Sequence, residues 1–242
     1  MLDSAGFRMA QVLVVCTGNI CRSPMAEGFL KELFRLRAND SHDTEPPVTG
    51  VEAIDVSSAG TSGWDGSPAT PEAIEAAADR EADITDHRAR RLHAGHVEDA
   101  DLVIGMTTEH RDTAIQLVPT AAARTFTLKE LVQLMEALPA PRAASTDGEA
   151  AAGETGPATG EATSADDATR LRQRIEQADA LRLEGFVGNR FDLDVVDPIG
   201  LSIDTYRAVA WELDQLCTRL VDGLFGKSAV PPSLASMWNE GE

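Results

Sequence analysis

Cys16 and Arg22 are separated by five residues, Thr17-Gly18-Asn19-Ile20-Cys21, and Ser23-Pro24 follow directly. A thiol and a planar guanidinium on one short, turn-rich loop suit transfer of a phosphoryl group through sulfur. The cysteine supplies the nucleophile. Arg22 can grip two oxygens of a tetrahedral anion through its fork, which a lysine cannot do. Ser23 can donate a hydrogen bond to the sulfur, and Asn19 can bond across the loop and hold its shape. Gly18 permits the unusual backbone angles that such a loop needs. Taken alone, Cys16 reads equally as a buried strand-end cysteine and Arg22 as a helix-surface residue. Gly-Asn within the loop and Ser-Pro after it favour the anion cradle.

The flanking elements fit that cradle. Residues 12–15 are four consecutive branched aliphatics, the signature of a short strand covered on both faces in a parallel sheet. From Pro24 the pattern turns helical, with Met25, Phe29, Leu30 and Leu33 on one side, so a helix is predicted over residues 22–37. Strand, loop and helix N-terminus together aim amide N–H groups at an anion. A cysteine at the mouth of that ring sits in the electropositive setting in which cysteines act as nucleophiles.

A departing alkoxide or phenolate needs a proton, which calls for a carboxylic acid held over the loop. Asp192, Asp194 and Asp197 are candidates, and only Asp197 precedes a proline, in Asp197-Pro198-Ile199-Gly200. Proline pushes Asp197 into an extended conformation that can aim its side chain inward. The same dipeptide also reads as a plain turn.

The 242-residue chain is long enough to bury one good core. Three cysteines argue against a disulfide framework and for a reducing, cytoplasmic setting. No signal peptide or membrane-spanning run is apparent. A net charge of −19 disfavours nucleic acid as a partner and requires local positive charge to draw in an anionic substrate. His93 and His96 are spaced H-x2-H without a third ligand at metal spacing and read as helix-end histidines, so no metal is expected.

The stretch Cys16-x5-Arg22-Ser23-Pro24 after a strand resembles the phosphate loop of the low-molecular-weight protein tyrosine phosphatases. The likeness runs over residues 11–138 and 185–225 in family order. It implies a three-layer α/β/α sandwich with a four-stranded parallel sheet and the phosphate loop after the first strand. It also matches Asp197-Pro198, before a last long helix over 202–224, to the family's general-acid loop. In the family the residue after that proline is commonly aromatic and contributes to ring recognition, whereas here it is Ile199, expected with Ile20 and Trp64 to line the substrate pocket. Ser58-Ala59-Gly60-Thr61 matches the turn that lies beside the active loop.

Trp64 then reads either as a cap on the core edge or as an aromatic wall for a phosphotyrosine ring. The region 83–92 resembles a family segment in which Asp83 or Asp86 and His87-Arg88 brace the sheet. Cys21 is either a small loop filler or a thiol that traps Cys16 as a reversible disulfide under oxidants.

Further elements are predicted as strands over 51–58, 101–106 and 123–128 and helices over 71–82, 129–138 and 171–184, with Thr107 or Thr108 as an N-cap. Residues 144–169 hold six acidic residues, no basic one, no aromatic and no large aliphatic. An acidic, disordered insertion is therefore expected over 140–170 within a domain of residues 11–225. Residues 1–10 form a lead-in and 226–242 a tail.

The implied chemistry needs no cofactor and acts on phosphotyrosine-bearing protein. Cys16 attacks phosphorus while Arg22 and the amides of Thr17, Gly18, Asn19, Ile20, Cys21 and Arg22 hold the equatorial oxygens, and Asp197 protonates the leaving oxygen. A phosphocysteine forms and is hydrolysed. Related arginine phosphatases carry Thr where this chain has Ile20, whose bulk favours the tyrosine reading. Arsenate reductases sharing the loop need downstream cysteines, and only Cys217 follows Cys21, placed on the last helix where it reads as buried. A phosphate-binding scaffold is the remaining reading, against which the complete set of Cys16, Arg22 and Asp197 speaks.

Overall fold

The aliphatic run at 12–15 lies inside β1 (Ala10–Cys16), and its side chains divide between two cores. Val12, Val14 and Cys16 enter the larger cluster, and Leu13 and Val15 the smaller. Both faces of the strand are therefore covered, which is why its sequence shows no polar alternation. The structure, a computed structural model, describes residues 9–40, 54–141, 161–186, 188–189 and 191–227.

Strands β2 (Ile54–Gly60), β3 (Leu102–Gly105) and β4 (Thr125–Thr127) join β1 in one parallel sheet of order β2-β1-β3-β4. Cys16 pairs with Gly60 and Val15 with Gly105, so the carboxyl end of β1 opens between two glycine-ended neighbours. The larger core receives α1 (Arg22–Asp40), α2 (Pro71–Ala78), α5 (Leu128–Ala137), α6 (Glu161–Leu183) and α7 (Ile203–Phe225). The smaller is closed by α3 (Ala94–Asp99), α4 (Thr108–Leu117) and a 3₁₀ turn, Pro119–Arg124. This is the expected three-layer sandwich with a four-stranded parallel sheet. No described helix is long and apolar enough to cross a membrane.

Several boundaries differ from the sequence reading, each for a physical reason. β1 starts at Ala10, inside the expected lead-in, because Ala10 is already buried against the sheet. α1 runs on to Asp40: the Arg37 guanidinium lies 4.9 Å from the centre of the Phe225 ring and reaches the carbonyl of Phe225 at 3.1 Å.

α2 stops at Ala78 rather than 82, since Glu81 adopts the left-handed conformation with φ 64°. The N–H of Ala82 returns to the carbonyl of Ala77 and that of Glu81 to Ala78, a closed C-terminal turn built without the usual glycine. β4 is shortened by Thr127, which caps α5 in a reciprocal pair with Glu130.

The acidic insertion expected over 140–170 is corrected in its last third. Residues 142–160 lie outside the described residues, but from Glu161 the chain is already α6, ten positions before the predicted start. Composition alone understates this segment. Once Leu171, Ile175 and Ala178 are packed, each added turn of an existing helix costs little, and Ala168 gains burial of its own. Residues 1–8 of the expected lead-in, 41–53 with the first residues of the strand expected from 51, and 228–242 of the expected tail also lie outside the described residues.

Ser202 caps α7 by accepting from the N–H of Thr205. The helix buries one stripe, including Tyr206, Val209, Leu213, Leu216 and Cys217, and burial pushes the Cys217 thiol up. The segment before it is tied down from several directions. Lys129 pairs with Asp192 at 2.6 Å and with Glu212 of α7 at 2.7 Å. Asp194 accepts from the N–H of Thr108 at the start of α4, and the N–H of Val195 donates to the carbonyl of Met106 just beyond β3. Of the three candidate aspartates, Asp192 and Asp194 thus serve as anchors, and Asp197 is left facing the loop.

Candidate active site

The loop after β1 turns its carbonyls outward. Those of Cys16, Thr17 and Gly18 accept from the N–H groups of Thr61, Ser62 and Trp64. That of Ile20 accepts from the N–H of Thr70. The carbonyl of Asn19 bonds His87 Nε2 at 2.8 Å. Trans peptides that send their carbonyls out send their N–H groups the other way, toward the sulfur of Cys16. The N–H of Asn19 donates to Cys16 Sγ at 3.2 Å. Gly60 makes this closeness possible, because a Cβ there would stand 2.5 Å from the carbonyl oxygen of Thr17 and 3.0 Å from the nitrogen of Asn19.

Asn19 is the keystone. Its φ of 58° lies in the left-handed region, where asparagine is among the tolerated side chains. It is fully buried, and its amide donates to Ser23 Oγ at 2.9 Å and to Ser58 Oγ at 2.7 Å while its oxygen accepts from the N–H of Arg90. Donor accounting then fixes the serines. Ser58 accepts from Asn19 and donates to Glu27 Oε2 at 2.5 Å. Ser23 accepts from Asn19, so its own proton is free for Cys16 Sγ, 3.0 Å away.

Arg22 is 4 % exposed and spans the loop. Its Nη1 donates to the carbonyl of Val195 at 3.1 Å. Its Nη2 donates to Asp197 Oδ2 at 2.6 Å and to Thr17 Oγ1 at 3.3 Å. Its Nε is buried without a hydrogen-bond partner among the described residues. Asp197, with its side chain 40 % exposed, also accepts from the N–H of Ile199 at 3.3 Å, a local turn that orients the carboxylate.

Cys16, Arg22, Asp197, Asn19, Ser23 and the amides of 17–22 are thus brought together. Trp64 and Ile199 are 58 % and 47 % exposed, and Val196 and Leu201 add apolar surface around Asp197. Ile20 differs from them: it is 4 % exposed, belongs to the larger core and supports the loop from within rather than standing open beside Trp64. Cys21 turns its thiol to Tyr206 at 3.4 Å and Thr70 at 3.6 Å rather than to Cys16, and burial pushes that thiol up. His93 and His96 are stacked, ring centres 3.5 Å apart, at the start of α3.

His87 braces the loop through Asn19, not the sheet, while Arg88 is exposed and Asp83 only accepts from the N–H of Thr85. Glu27, Arg90 and His110 were not singled out by sequence reading for this site, and Ser58 was placed only within the turn beside the loop. Ser58, Arg90 and His110 reach the loop across 39 to 93 positions of chain, and Glu27 joins them through Ser58.

His110 is buried with both ring nitrogens bonded, to Thr17 Oγ1 at 2.9 Å and Thr107 Oγ1 at 2.8 Å. Burial and the neighbouring charge of Arg22 push it down to about 4. A histidine held below its ordinary value favours folding fully above about pH 6.5 and less as pH falls toward about 4. Urea unfolding of wild type and His110→Gln should therefore differ in slope across that window, by on the order of 2–3 kcal/mol in total. Parallel curves would assign the acid lability elsewhere.

Residues 11–147 match the family model for the low molecular weight phosphotyrosine protein phosphatases. The chain belongs to this family. Similar relatives include the probable low molecular weight protein-tyrosine-phosphatase EpsP of Ralstonia nicotianae, 35% identical over half of this chain and 72% of that one. A protein-arginine-phosphatase of Geobacillus stearothermophilus is 30% identical over 88% of this chain and 95% of its own. Among solved structures, a low molecular weight protein tyrosine phosphatase from T. tengcongensis superposes with a TM-score of 0.56 at 27% identity, covering 88% of this chain and 98% of that one. As a member of this phosphatase family the protein is a hydrolase with cysteine-based chemistry acting on protein substrates.

Proposed function

We propose that Cys16, Arg22 and Asp197 carry metal-independent hydrolysis of phosphotyrosine in proteins. The observation that supports this most is the buried Nε of Arg22, unpartnered among the described residues, on a loop whose carbonyls from Cys16 to Ile20 are bonded outside it. An oxyanion is the partner that such a donor set fits. The Cys16 thiolate, steadied by Ser23 and the N–H of Asn19, attacks phosphorus in line with the scissile P–O bond. The bond to the leaving oxygen breaks as Asp197 protonates it, which leaves a phosphocysteine and an aspartate carboxylate. That carboxylate takes a proton from water, the water oxygen attacks phosphorus, and the S–P bond breaks to release inorganic phosphate and the thiolate.

Trp64 and Ile199 stand exposed beside Asp197 and Gly18 and suit a flat ring entering between them. Asp197→Ala should lower kcat/KM for phosphotyrosine about 10²–10³-fold and for an activated nitrophenyl phosphate far less. Equal losses for both would remove Asp197 from the acid role.

A second reading, hydrolysis of phosphoarginine, is favoured by the length of the match to the arginine phosphatase of Geobacillus stearothermophilus. The deciding experiment compares phosphotyrosine, phosphoarginine and a small aryl phosphate with wild type and Cys16→Ser, without metal and with reductant. Cys16-dependent preference for phosphotyrosine supports the first reading, and preference for phosphoarginine replaces it with the second.

A further inference from the structure

Arg22 Nη2 carries two N–H groups, and Thr17 Oγ1 and Asp197 Oδ2 both accept from it. A phosphoryl group gripped by the edge of the guanidinium needs Nε–H together with one Nη N–H. The first is unpartnered, but on the same edge the second lies on Nη2, so one of the two acceptors must give way. They are not equally free to do so. Asp197 is partly exposed and is held at its oxygens by Arg22 and one long turn hydrogen bond.

Thr17 is held from behind. His110 Nε2 bonds its hydroxyl at 2.9 Å, and the other ring nitrogen is fixed by Thr107, the N-cap of α4. The imidazole therefore cannot turn without losing a bond to a rigid helix start. Its neutrality matters as well: a second cation beside Arg22 would draw the Thr17 oxygen and the incoming anion away from it.

We infer that Thr17, backed by His110, is a positioning residue that keeps Arg22 in place while the phosphoryl group displaces Asp197 from the same nitrogen. Displacement turns the resting ion pair into a working arrangement, with Arg22 on the phosphoryl oxygens and Asp197 released toward the leaving oxygen. The inference rests on the phosphatase reading for its chemistry and on the Thr17–Arg22 contact for its geometry.

The test uses the full chain with Thr17→Val, which keeps the shape and removes the hydroxyl, and Thr17→Ser, which keeps the hydroxyl. Thr17 is exposed, so neither change opens the core. Two quantities are read: kcat/KM for aryl phosphates with good and poor leaving groups, and affinity for inorganic phosphate by calorimetry. Thr17→Val is expected to lose about tenfold in both, the value of one hydrogen bond to a charged group, and equally for good and poor leaving groups. Thr17→Ser should stay close to wild type, and Thr17→Val should add little in an Arg22→Lys background.

An unchanged Thr17→Val, a loss confined to poor leaving groups, or full additivity with Arg22→Lys would overturn the inference. The phosphatase reading fails differently. Wild type would then turn over none of the esters, while the phosphate affinities would still report on Thr17.

Discussion

Cys16→Ser should abolish turnover, with kcat falling on the order of 10⁵-fold or more, while inorganic phosphate still binds. The two halves of this expectation rest on different atoms. Attack on phosphorus needs a nucleophile that is ionised and polarisable, and a serine hydroxyl in the same place has no base to take its proton. Ser23 is a donor to this position, because Asn19 already occupies its oxygen, and Asp197 is engaged with Arg22. Phosphate binding, in contrast, depends on Arg22 and the inward-facing amides, which the exchange leaves alone. Single-turnover kinetics and calorimetry on the same preparation check both halves. Residual turnover within about tenfold of wild type would assign the attack to another group.

Arg22→Lys should cost about 10³-fold in kcat/KM and weaken phosphate binding with it. Arginine here makes three described hydrogen bonds in one plane, to Val195, Thr17 and Asp197, and has its Nε in reserve. An ammonium keeps the charge but has neither the reach nor the fork, so it cannot hold the Asp197 segment and two phosphoryl oxygens together. The loss therefore combines weaker transition-state binding with a looser acid. A kcat/KM within a few fold of wild type would mean that charge alone suffices at this position. The comparison with Asp197→Ala is informative, because that variant spares good leaving groups whereas Arg22→Lys should spare none.

The grouping of Cys16, Arg22 and the start of the helix behind them was legible because they sit within a dozen consecutive residues, where type, spacing and flanking pattern act together. Asp197 was legible through its proline. What holds these groups was not. Asn19 could be named as a brace, but its partners Ser58 and Arg90 are 39 and 71 positions away, and the segments that carry them do not say which side chain meets it. Thr17 looked like one more loop amide until His110, 93 positions on, gave its hydroxyl a task. Ile20 looked like a pocket residue from its place in the loop, and only the fold shows it turned into the core. Helix ends misled in the same way: Glu81 closes α2 with no glycine to announce it, and α6 begins in a segment whose composition suggested no structure.

Strand β1 delivers Cys16 at its carboxyl end, and α5 starts near that edge and runs back from it. Midway along α6, Arg172 bonds Asp101, just ahead of β3, at 3.0 Å and the carbonyl of Met9, just ahead of β1. The middle of α6 is therefore fastened at the amino ends of β1 and β3, the pole opposite Cys16. Such a layout separates two duties along the same strands: side chains at the amino ends can change to adjust stability while the carboxyl end that carries Cys16 stays under its own, far tighter, selection.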